Sequence, residues 1–356
     1  MKKFFYLAVA ACAALAACSK NEVTPVDVDQ QITFQAVVNK ASTKALIDGN
    51  NYDTGVPFGS VAYFQSTPAS LYIPLSKVSY TAGTPNGYWS TATTYYWPKT
   101  GKLTFYSYSP FSYAEDPYSE INPTVSENGL IFTDYSVKDH QETDLMVADP
   151  KKDMTASGTT SNGGTWAKGV PTIFHHMLAQ IKNITFQTVD GTSAAKDYTN
   201  GHTDGTWVAG DKKFVINQVD IKNFYETGTL VAEATNTWNS TGSVTDNYNY
   251  YTGTDEFGAT ATSTKNADEY YLVLPQDLTV DGQELYIKYT IKSYNGSKWV
   301  DEEVEVTKDF KDIITDAKWE MNKKYTINIK IGLNQIYWDP KVENWEEKSI
   351  DYTVSD

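Results

Sequence analysis

Short runs in which apolar and polar residues alternate recur along the chain, and this period of two predicts β-strands with one buried face. The first such run follows a polar stretch that contains Pro25. Its residues divide between the two faces of the predicted strand, with Ile32, Phe34, Ala36 and Val38 on one face and Thr33, Gln35 and Asn39 on the other. The pattern indicates an early strand whose apolar face packs into a core.

Similar runs predict further strands, namely Phe58–Gln65, Leu71–Pro74, Leu103–Tyr108, Leu130–Thr133, Asp144–Ala148, Phe214–Ile221, Thr229–Ala232, Tyr270–Leu274, Leu285–Ile291, Val300–Val306 and Tyr325–Leu333. The long apolar run Val170–Val189 is compatible with a helix at its centre, but Pro171 and the β-branched and aromatic residues near its end favour a strand. Residues 151–169 and 235–266 are rich in small and polar residues, so we predict loops there.

Short strands separated by turn residues are typical of β-sandwiches, so the predicted fold class is all-β. With 356 residues the chain is long enough for two domains. We place the junction near Gln180, which gives an N-terminal β-sandwich at 45–180 and a C-terminal β-sandwich at 181–356.

The N-terminus has the pattern of a lipoprotein signal peptide over residues 1–17. Lys2 and Lys3 precede the apolar segment Phe4–Ala14, which is too short to span a bilayer. The sequence Leu-Ala-Ala-Cys that ends at Cys18 fits the site at which lipoprotein signal peptidase cuts and acyl transferases attach lipid. Ser19 follows the cysteine in place of an inner-membrane retention signal, so we expect an anchor in the outer membrane with the protein exposed on the surface.

Charge and cysteine content exclude several classes of function. The formal net charge is -15 and the chain has no arginine, which argues against nucleic-acid binding. Both cysteines, Cys12 and Cys18, lie in the leader. The rest of the chain therefore has no disulfide, no thiolate metal site and no cysteine nucleophile.

The sequence offers little support for catalysis, and we expect neither an enzyme nor a cofactor or metal. No zinc-protease, hydrolase, dinucleotide or P-loop motif occurs. The histidines are His140, His175, His176 and His202. Adjacent residues of a strand face opposite sides, so we expect one of the pair His175 and His176 to be packed and the other exposed. Carboxylates are abundant, and a chance pair suited to glycoside hydrolysis stays open.

The segment after the first strand favours proteolytic processing. Lys44 is flanked by the small residues Thr43 and Ala45, and a turn sequence rich in Gly and Asn follows. A cut between Lys44 and Ala45 would remove residues 18–44, which hold the lipid, a tether and the first strand. The remaining chain would then carry an open apolar groove.

The C-terminal tail carries a second alternating pattern. Ile350, Tyr352 and Val354 share one face of a predicted strand. Two interpretations stay open: this strand pairs within its own sheet, or it is available to another subunit.

The order of several segments resembles the fimbrillin family, the pilins of type V pili. The segments are the lipoprotein site, the early strand followed by Lys44, Asp144–Ala148, Phe174–Leu178, Tyr271–Gln276 and the ending from Trp319 through Tyr325 and Val342 to Trp345. This resemblance implies two transthyretin-like β-sandwich domains in a lipoprotein precursor that matures by loss of its first strand. It also implies polymerisation by donor-strand exchange with other fimbrillin subunits, and adhesion by the resulting pilus.

One position departs from the family pattern. The family's processing site is usually an arginine read by a trypsin-like protease, and the matching residue here is Lys44. A stalk, tip, anchor or accessory role all agree with the resemblance.

A surface glycan-binding lipoprotein is the alternative function. Its candidate residues are aromatic and could form a stacking platform for sugars: Trp89, Tyr95, Tyr96, Trp97 and Trp166. Three or more solvent-facing rings would favour this alternative, whereas buried rings would favour the pilin.

Overall fold

The structure of the protein is a computed structural model that describes residues 31–38, 52–83, 87–111, 121–139, 141, 143–156, 169–188, 209–240, 244–245, 247–258, 262–265, 270–279, 282–314, 316–331 and 336–344. This part of the chain is all-β, which confirms the predicted class, and its helical element is one 3-10 turn at Phe310–Asp312. Within it, no helix is both long and apolar enough to cross a membrane.

The strands up to His176 are β1 (Phe34–Val38), β2 (Phe58–Phe64), β3 (Ser70–Thr81), β4 (Tyr88–Thr91), β5 (Leu103–Ser109), β6 (Thr124–Ser126), β7 (Gly129–Ser136), β8 (Met146–Ala148), β9 (Lys151–Met154) and β10 (Val170–His176). The later strands are β11 (Ala179–Thr188), β12 (Lys212–Lys222), β13 (Phe224–Tyr225), β14 (Thr227–Ala232), β15 (Asn236–Asn239), β16 (Val244–Thr245), β17 (Tyr248–Phe257), β18 (Thr262–Ser263), β19 (Tyr271–Val273), β20 (Gln276–Asp277), β21 (Glu284–Tyr294), β22 (Trp299–Asp309), β23 (Lys318–Trp319), β24 (Lys323–Ile331) and β25 (Ile336–Asn344).

The preference for strand over helix in the run from Val170 is confirmed by β10 and β11, but two of the predicted loops contain strands and those predictions are wrong. β17 lies in the predicted loop 235–266 and pairs with β12. Its buried residues include Tyr250 and Phe257, so a composition that was taken for a loop here builds a half-buried edge strand. β9 lies at the start of the predicted loop 151–169, where Met154 is buried.

The largest sheet closes on itself. Its strand order is β2-β3-β4-β1-β10-β8-β5-β9, and β2 also pairs with β5. β1 therefore belongs to a closed ring of paired strands, with β4 on one side and β10 on the other. Closure gives β1 a paired neighbour on each side, whereas its removal would create two edges that face each other.

The chain leaves this ring between β10 and β11, over the buried residues Met177 and Leu178. β11 then pairs with β24, β18 and β19, and β25 lies on the far side of β24. A second sheet has the order β17-β12-β21-β22, and buried residues of both sheets share one core. The division into two domains near Gln180 stays a prediction.

Strands from the two halves of the sequence also pair with each other. A further sheet has the order β15-β14-β7-β6, in which β14 pairs with β7. The Gln141 side chain adds a clamp across the same region, because its Nε2 donates to the carbonyls of Val137 (3.0 Å) and Leu272 (2.8 Å). Its Oε1 accepts from the Leu272 N–H at 2.9 Å, so one amide satisfies a backbone edge in both directions.

Buried apolar residues form three clusters. One contains the inner residues of β1 together with residues of β2, β4, β5 and β10. A second joins β5 and β7 to β14 and β19, and a third fills the space between the sheets of β11 and β12. β1 therefore contributes to only one of these clusters.

The Gln141 clamp makes a prediction about stability. Gln141→Glu keeps an acceptor for the Leu272 N–H but removes the donor for two carbonyls, and we expect a loss of roughly 1–3 kcal/mol in the free energy of unfolding. Gln31→Glu makes the same chemical change at an exposed side chain and should have little effect. Chemical denaturation of both variants checks this, and equal midpoints would contradict it.

Candidate functional site

The backbone ladders on the two sides of β1 differ in length. β1 pairs in parallel with β10 over its whole length, from Phe34 opposite Val170 to Val38 opposite Phe174. On the other side it pairs with β4 at one position, Phe34 opposite Trp89. Just before β1 the Ile32 N–H donates to the Tyr95 carbonyl at 2.8 Å, and Gln31 forms an isolated bridge with Tyr96. Parallel pairing is slightly weaker per residue than antiparallel pairing. We infer that packing of its side chains contributes much of what holds β1.

The inner face of β1 points into the core. Phe34 and Ala36 are each 1% exposed, and Val38 packs partly buried against the same cluster. Ile32, which lies two residues before β1 and continues its alternation, is 2% exposed. Val37 is also buried, at 9%, although it belongs to the other face. The face expected from the alternation is thus the buried one. Its removal on maturation stays a prediction.

Phe34 occupies an aromatic seat. Its ring meets Phe58 and Phe105 edge-on, with centroid distances of 5.6 and 5.9 Å. These residues lie on β2 and β5, which pair with each other across from β1. Phe58 in turn contacts Trp89 and Phe174, on the two strands that flank β1. All four surrounding rings follow Lys44 in the sequence, so a cut there would leave the seat intact.

Tyr52 is a residue of this site that the sequence analysis missed, because it follows a turn-like polar stretch. It is 3% exposed, its ring stacks on Phe174 at 5.0 Å, and it meets Trp89 edge-on. Its hydroxyl is 2.5 Å from Ser109 Oγ, and burial raises the pKa of the phenol above its usual value. A bulky aromatic residue in an otherwise polar stretch was the available signal.

Gly169 brings β10 close to the backbone of β1. Its φ is +103°, a region that favours glycine. A Cβ at this position would lie 2.8 Å from backbone atoms of Thr33 and Phe34. The residue thus permits the chain to enter β10 directly against the strand.

Several predicted site residues lie outside the described part of the chain. They are Cys18, Lys44, Ala45, Ile350, Tyr352 and Val354. Their roles in lipidation, processing and donation stay predictions.

The last described strand, β25, is engaged within its own sheet. It pairs antiparallel with β24 along its length, from Ile336 opposite Ile331 to Asn344 opposite Lys323. It ends the strand order of that sheet. Residues after Asn344 therefore continue from a strand at the sheet edge.

The adjacent histidines of β10 have separate partners. His175 Nε2 lies 2.9 Å from Asp149 Oδ1, and His176 Nδ1 lies 2.6 Å from Asp144 Oδ2. The hydrogen bond from His175 is the main reason that the pKa of Asp149 lies below its usual value. Both imidazoles are partly buried, so the expectation of one packed and one exposed is wrong, because each ring is held by its own carboxylate. Among the described residues, no cluster of His, Cys, Asp and Glu could hold a metal ion.

Most of the described aromatic residues that were proposed to bind sugars are buried or partly buried. Trp89 is 3% exposed, whereas Tyr95 and Trp97 pack partly buried against the core around β1. Tyr96 is exposed at 46%, and Trp166 lies outside the described residues. Of these five residues, the described ones serve mainly as core.

Fold and site together define an all-β protein whose first strand fills a gap in a closed ring of strands. The chain belongs to the fimbrillin-like family, whose family model matches residues 43–345. No curated protein matches the sequence.

Solved structures share the fold. A fimbrial protein from Bacteroides vulgatus is 15% identical and superposes with a TM-score of 0.62 over 89% of this chain and 99% of its own. A candidate cell adhesion protein from Bacteroides uniformis is 18% identical, with a TM-score of 0.50 over 90% and 100%. Another, from Parabacteroides distasonis, is 10% identical, with a TM-score of 0.52 over 89% and 96%.

The close approach at Gly169 predicts a difference between two glycine substitutions. Gly169→Ala and Gly210→Ala both place a side chain at a φ near +100°, but a Cβ at Gly210 meets nothing within 4 Å. We expect Gly169→Ala to lower the free energy of unfolding by a further 1–3 kcal/mol or so, because backbone atoms of β1 must move. Chemical denaturation of the two full-length variants measures this, and equal losses would show that β1 does not lie against Gly169.

Proposed function

We propose that the protein is the precursor of a fimbrial subunit that assembles by exchanging β1 for a strand of another subunit. This proposal is based on the position of β1. It precedes Lys44 and fills the gap between β4 and β10. Together with Ile32 just before it, β1 packs into a core whose other members all follow Lys44. A single cut would thus convert a closed ring into an acceptor.

The energetics favour replacement of the strand over a lasting vacancy. Burial of Ile32 and of Phe34 contributes about 1.5–3 kcal/mol each. Loss of β1 would expose this apolar seat and leave unpaired N–H and C=O groups on β4 and β10. An incoming strand with the same alternation would bury equivalent side chains and restore the backbone pairing.

Maturation follows from the N-terminal sequence. Lipoprotein signal peptidase would release residues 1–17, acyl transferases would lipidate Cys18, and the lipid would hold the precursor at the outer membrane. A trypsin-like protease would then cut between Lys44 and Ala45 and release the subunit to a surface pilus that supports adhesion.

The donor is the C-terminal tail of another fimbrillin subunit. β25 is already paired along its length with β24, whereas Ile350, Tyr352 and Val354 lie beyond it and repeat the alternation of β1. In this proposal each half of the chain is a transthyretin-like β-sandwich, and the ring that contains β1 belongs to the N-terminal one. The pilus is then a homo- or hetero-polymer of such subunits.

Blocking the cut should block assembly. Lys40 also lies between β1 and the cut, so the test uses a Lys40→Gln background. We expect the Lys40→Gln, Lys44→Gln precursor to stay monomeric after treatment with a trypsin-like protease. The Lys40→Gln single variant is the matched control, and it should yield a product that begins at Ala45 and form ladders on an unheated denaturing gel. N-terminal sequencing and the gel give the result. Assembly of uncut Lys44→Gln chains would contradict the proposal.

Charges on the inner face of the tail should abolish donation. Ile350→Asp with Val354→Asp would bring two carboxylates into apolar seats, at a cost of several kcal/mol. Thr353→Asp with Ser355→Asp adds the same charge to the other face and should still polymerise. Equal polymerisation of both double variants, with unchanged melting temperatures of the precursors, would show that the tail is not the donor.

A further inference from the structure

We propose that the slot of β1 selects its donor by the sizes of its seats, and that the tail of a second copy enters parallel to β10 with Tyr352 in the place of Phe34. This inference rests on the strand exchange proposed above. It adds the register and the direction of the donor strand.

The slot offers three fully buried inner seats of unequal size, beside the partly buried position of Val38. The middle seat holds Phe34 between the ring edges of Phe58 and Phe105. The seats on either side hold Ile32 and Ala36, which are 2% and 1% exposed. Because protein cores are close-packed, these seats are large and flat in the middle, branched aliphatic on one side and small on the other.

The tail fits this series in one register. Tyr352 is the aromatic residue of its inner face, and Ile350 and Val354 flank it. A shift by two residues would force the tyrosine into the seat of Ile32 or Ala36, and overpacking of this kind is destabilising. A shift by one residue would turn the whole apolar face outward. Tyr352 therefore belongs in the middle seat.

The direction follows from the two outer seats and from the backbone. Entry in the direction of β1 brings Ile350 to the seat of Ile32 and the smaller Val354 to the seat of Ala36. Reversed entry would bring isoleucine to the alanine seat. Entry in the direction of β1 also restores the parallel ladder with β10, the pairing with β4 and the close backbone approach at Gly169.

The proposal can be tested by mixing two variants, of which one can only donate its tail and the other can only accept a tail. The Lys44→Gln precursor has a filled slot and an unaltered tail, so under this proposal it can only donate. The cut chain with Ile350→Asp and Val354→Asp has an open slot and a disabled tail, so it can only accept. Their mixture should give a dimer of one donor and one acceptor, and its dissociation constant can be measured by titration.

Single substitutions in the tail of the donor chain then measure how much each side chain contributes to the affinity of the dimer. We expect Ile350→Ala and Tyr352→Ala to weaken the dimer by at least about tenfold. Val354→Ala should strengthen it several-fold, because the seat is shaped for alanine. Tyr352→Phe should bind at least as tightly as the wild type, since the rings of Phe58 and Phe105 offer no hydrogen-bond partner. Reversed entry predicts the opposite signs for Val354→Ala and Ile350→Ala, and that result would overturn the proposal.

Disulfide trapping provides a geometric readout. The chain's two cysteines, Cys12 and Cys18, can be replaced by serine, so that the introduced thiols are the only ones. In the proposed register Thr353 takes the place of Gln35, which lies opposite Pro171 of β10. A donor with Thr353→Cys should cross-link to an acceptor with Pro171→Cys.

A matched donor with Asp351→Cys separates the two directions. In the proposed direction it should cross-link poorly to Pro171→Cys, whereas reversed entry would make it the preferred partner. If the wild-type tail forms no dimer at all, the strand exchange itself is wrong. If the dimer forms but the preferred cross-link uses position 351, only the register and direction fail.

Discussion

Closure of the N-terminal ring by β1 is the contact on which the proposed assembly depends. The strand has a continuous ladder on β10 and one paired position on β4, and the residues just before it add a hydrogen bond from the Ile32 N–H to the Tyr95 carbonyl. The longer ladder is thus the one with β10. Side-chain burial also holds this segment in place, because Ile32, Phe34 and Ala36 lie in the core. A strand held largely by an alternating set of side chains can be replaced by any other strand that presents a similar set at the same spacing. In the proposed mechanism the same arrangement gives stability to the precursor and specificity to the exchange.

The rest of the fold is arranged so that a change at β1 stays local. The cluster that contains Phe34 is distinct from the cluster that joins the two halves and from the core of the C-terminal sheets. The halves are connected by the pairing of β14 with β7, by the Gln141 clamp and by a 2.6 Å hydrogen bond from Trp238 Nε1 to the carbonyl of Met177. None of these contacts involves β1. Opening of the slot should therefore leave the connection between the halves in place.

Local patterns predicted the elements whose burial alternates cleanly. The alternation of Ile32, Phe34 and Ala36 predicted the inner face of the first strand, and these residues are buried. The inner face of β24 was predicted in the same way, and its buried residues are Tyr325, Ile327, Ile329 and Ile331. These strands each have one buried face, so side-chain chemistry reports the backbone directly.

The missed features depend on tertiary contacts. Tyr52 lies in a polar stretch typical of loops, and its packing against Phe174 places it in the core. β17 consists largely of residues that are also common in loops, and its pairing with β12 makes it a strand. Gly169 matters through its φ and its approach to β1, and Gln141 through hydrogen bonds to a segment far away in the sequence. No local period encodes either property.

The covalent link at Lys44 explains how one slot could serve both a resident and an incoming strand with similar side chains. While the link is intact, β1 competes for the slot as part of the same chain, and intramolecular binding of this kind corresponds to an effective concentration on the order of millimolar for a short linker. A tail from another copy that makes equivalent contacts has no such advantage and stays outside. A cut removes the connection without altering a single contact of β1, after which the segment can leave and dilute. In the proposed mechanism the switch thus acts on chain entropy, and the affinity of the donor for the seats needs only to be comparable to that of β1.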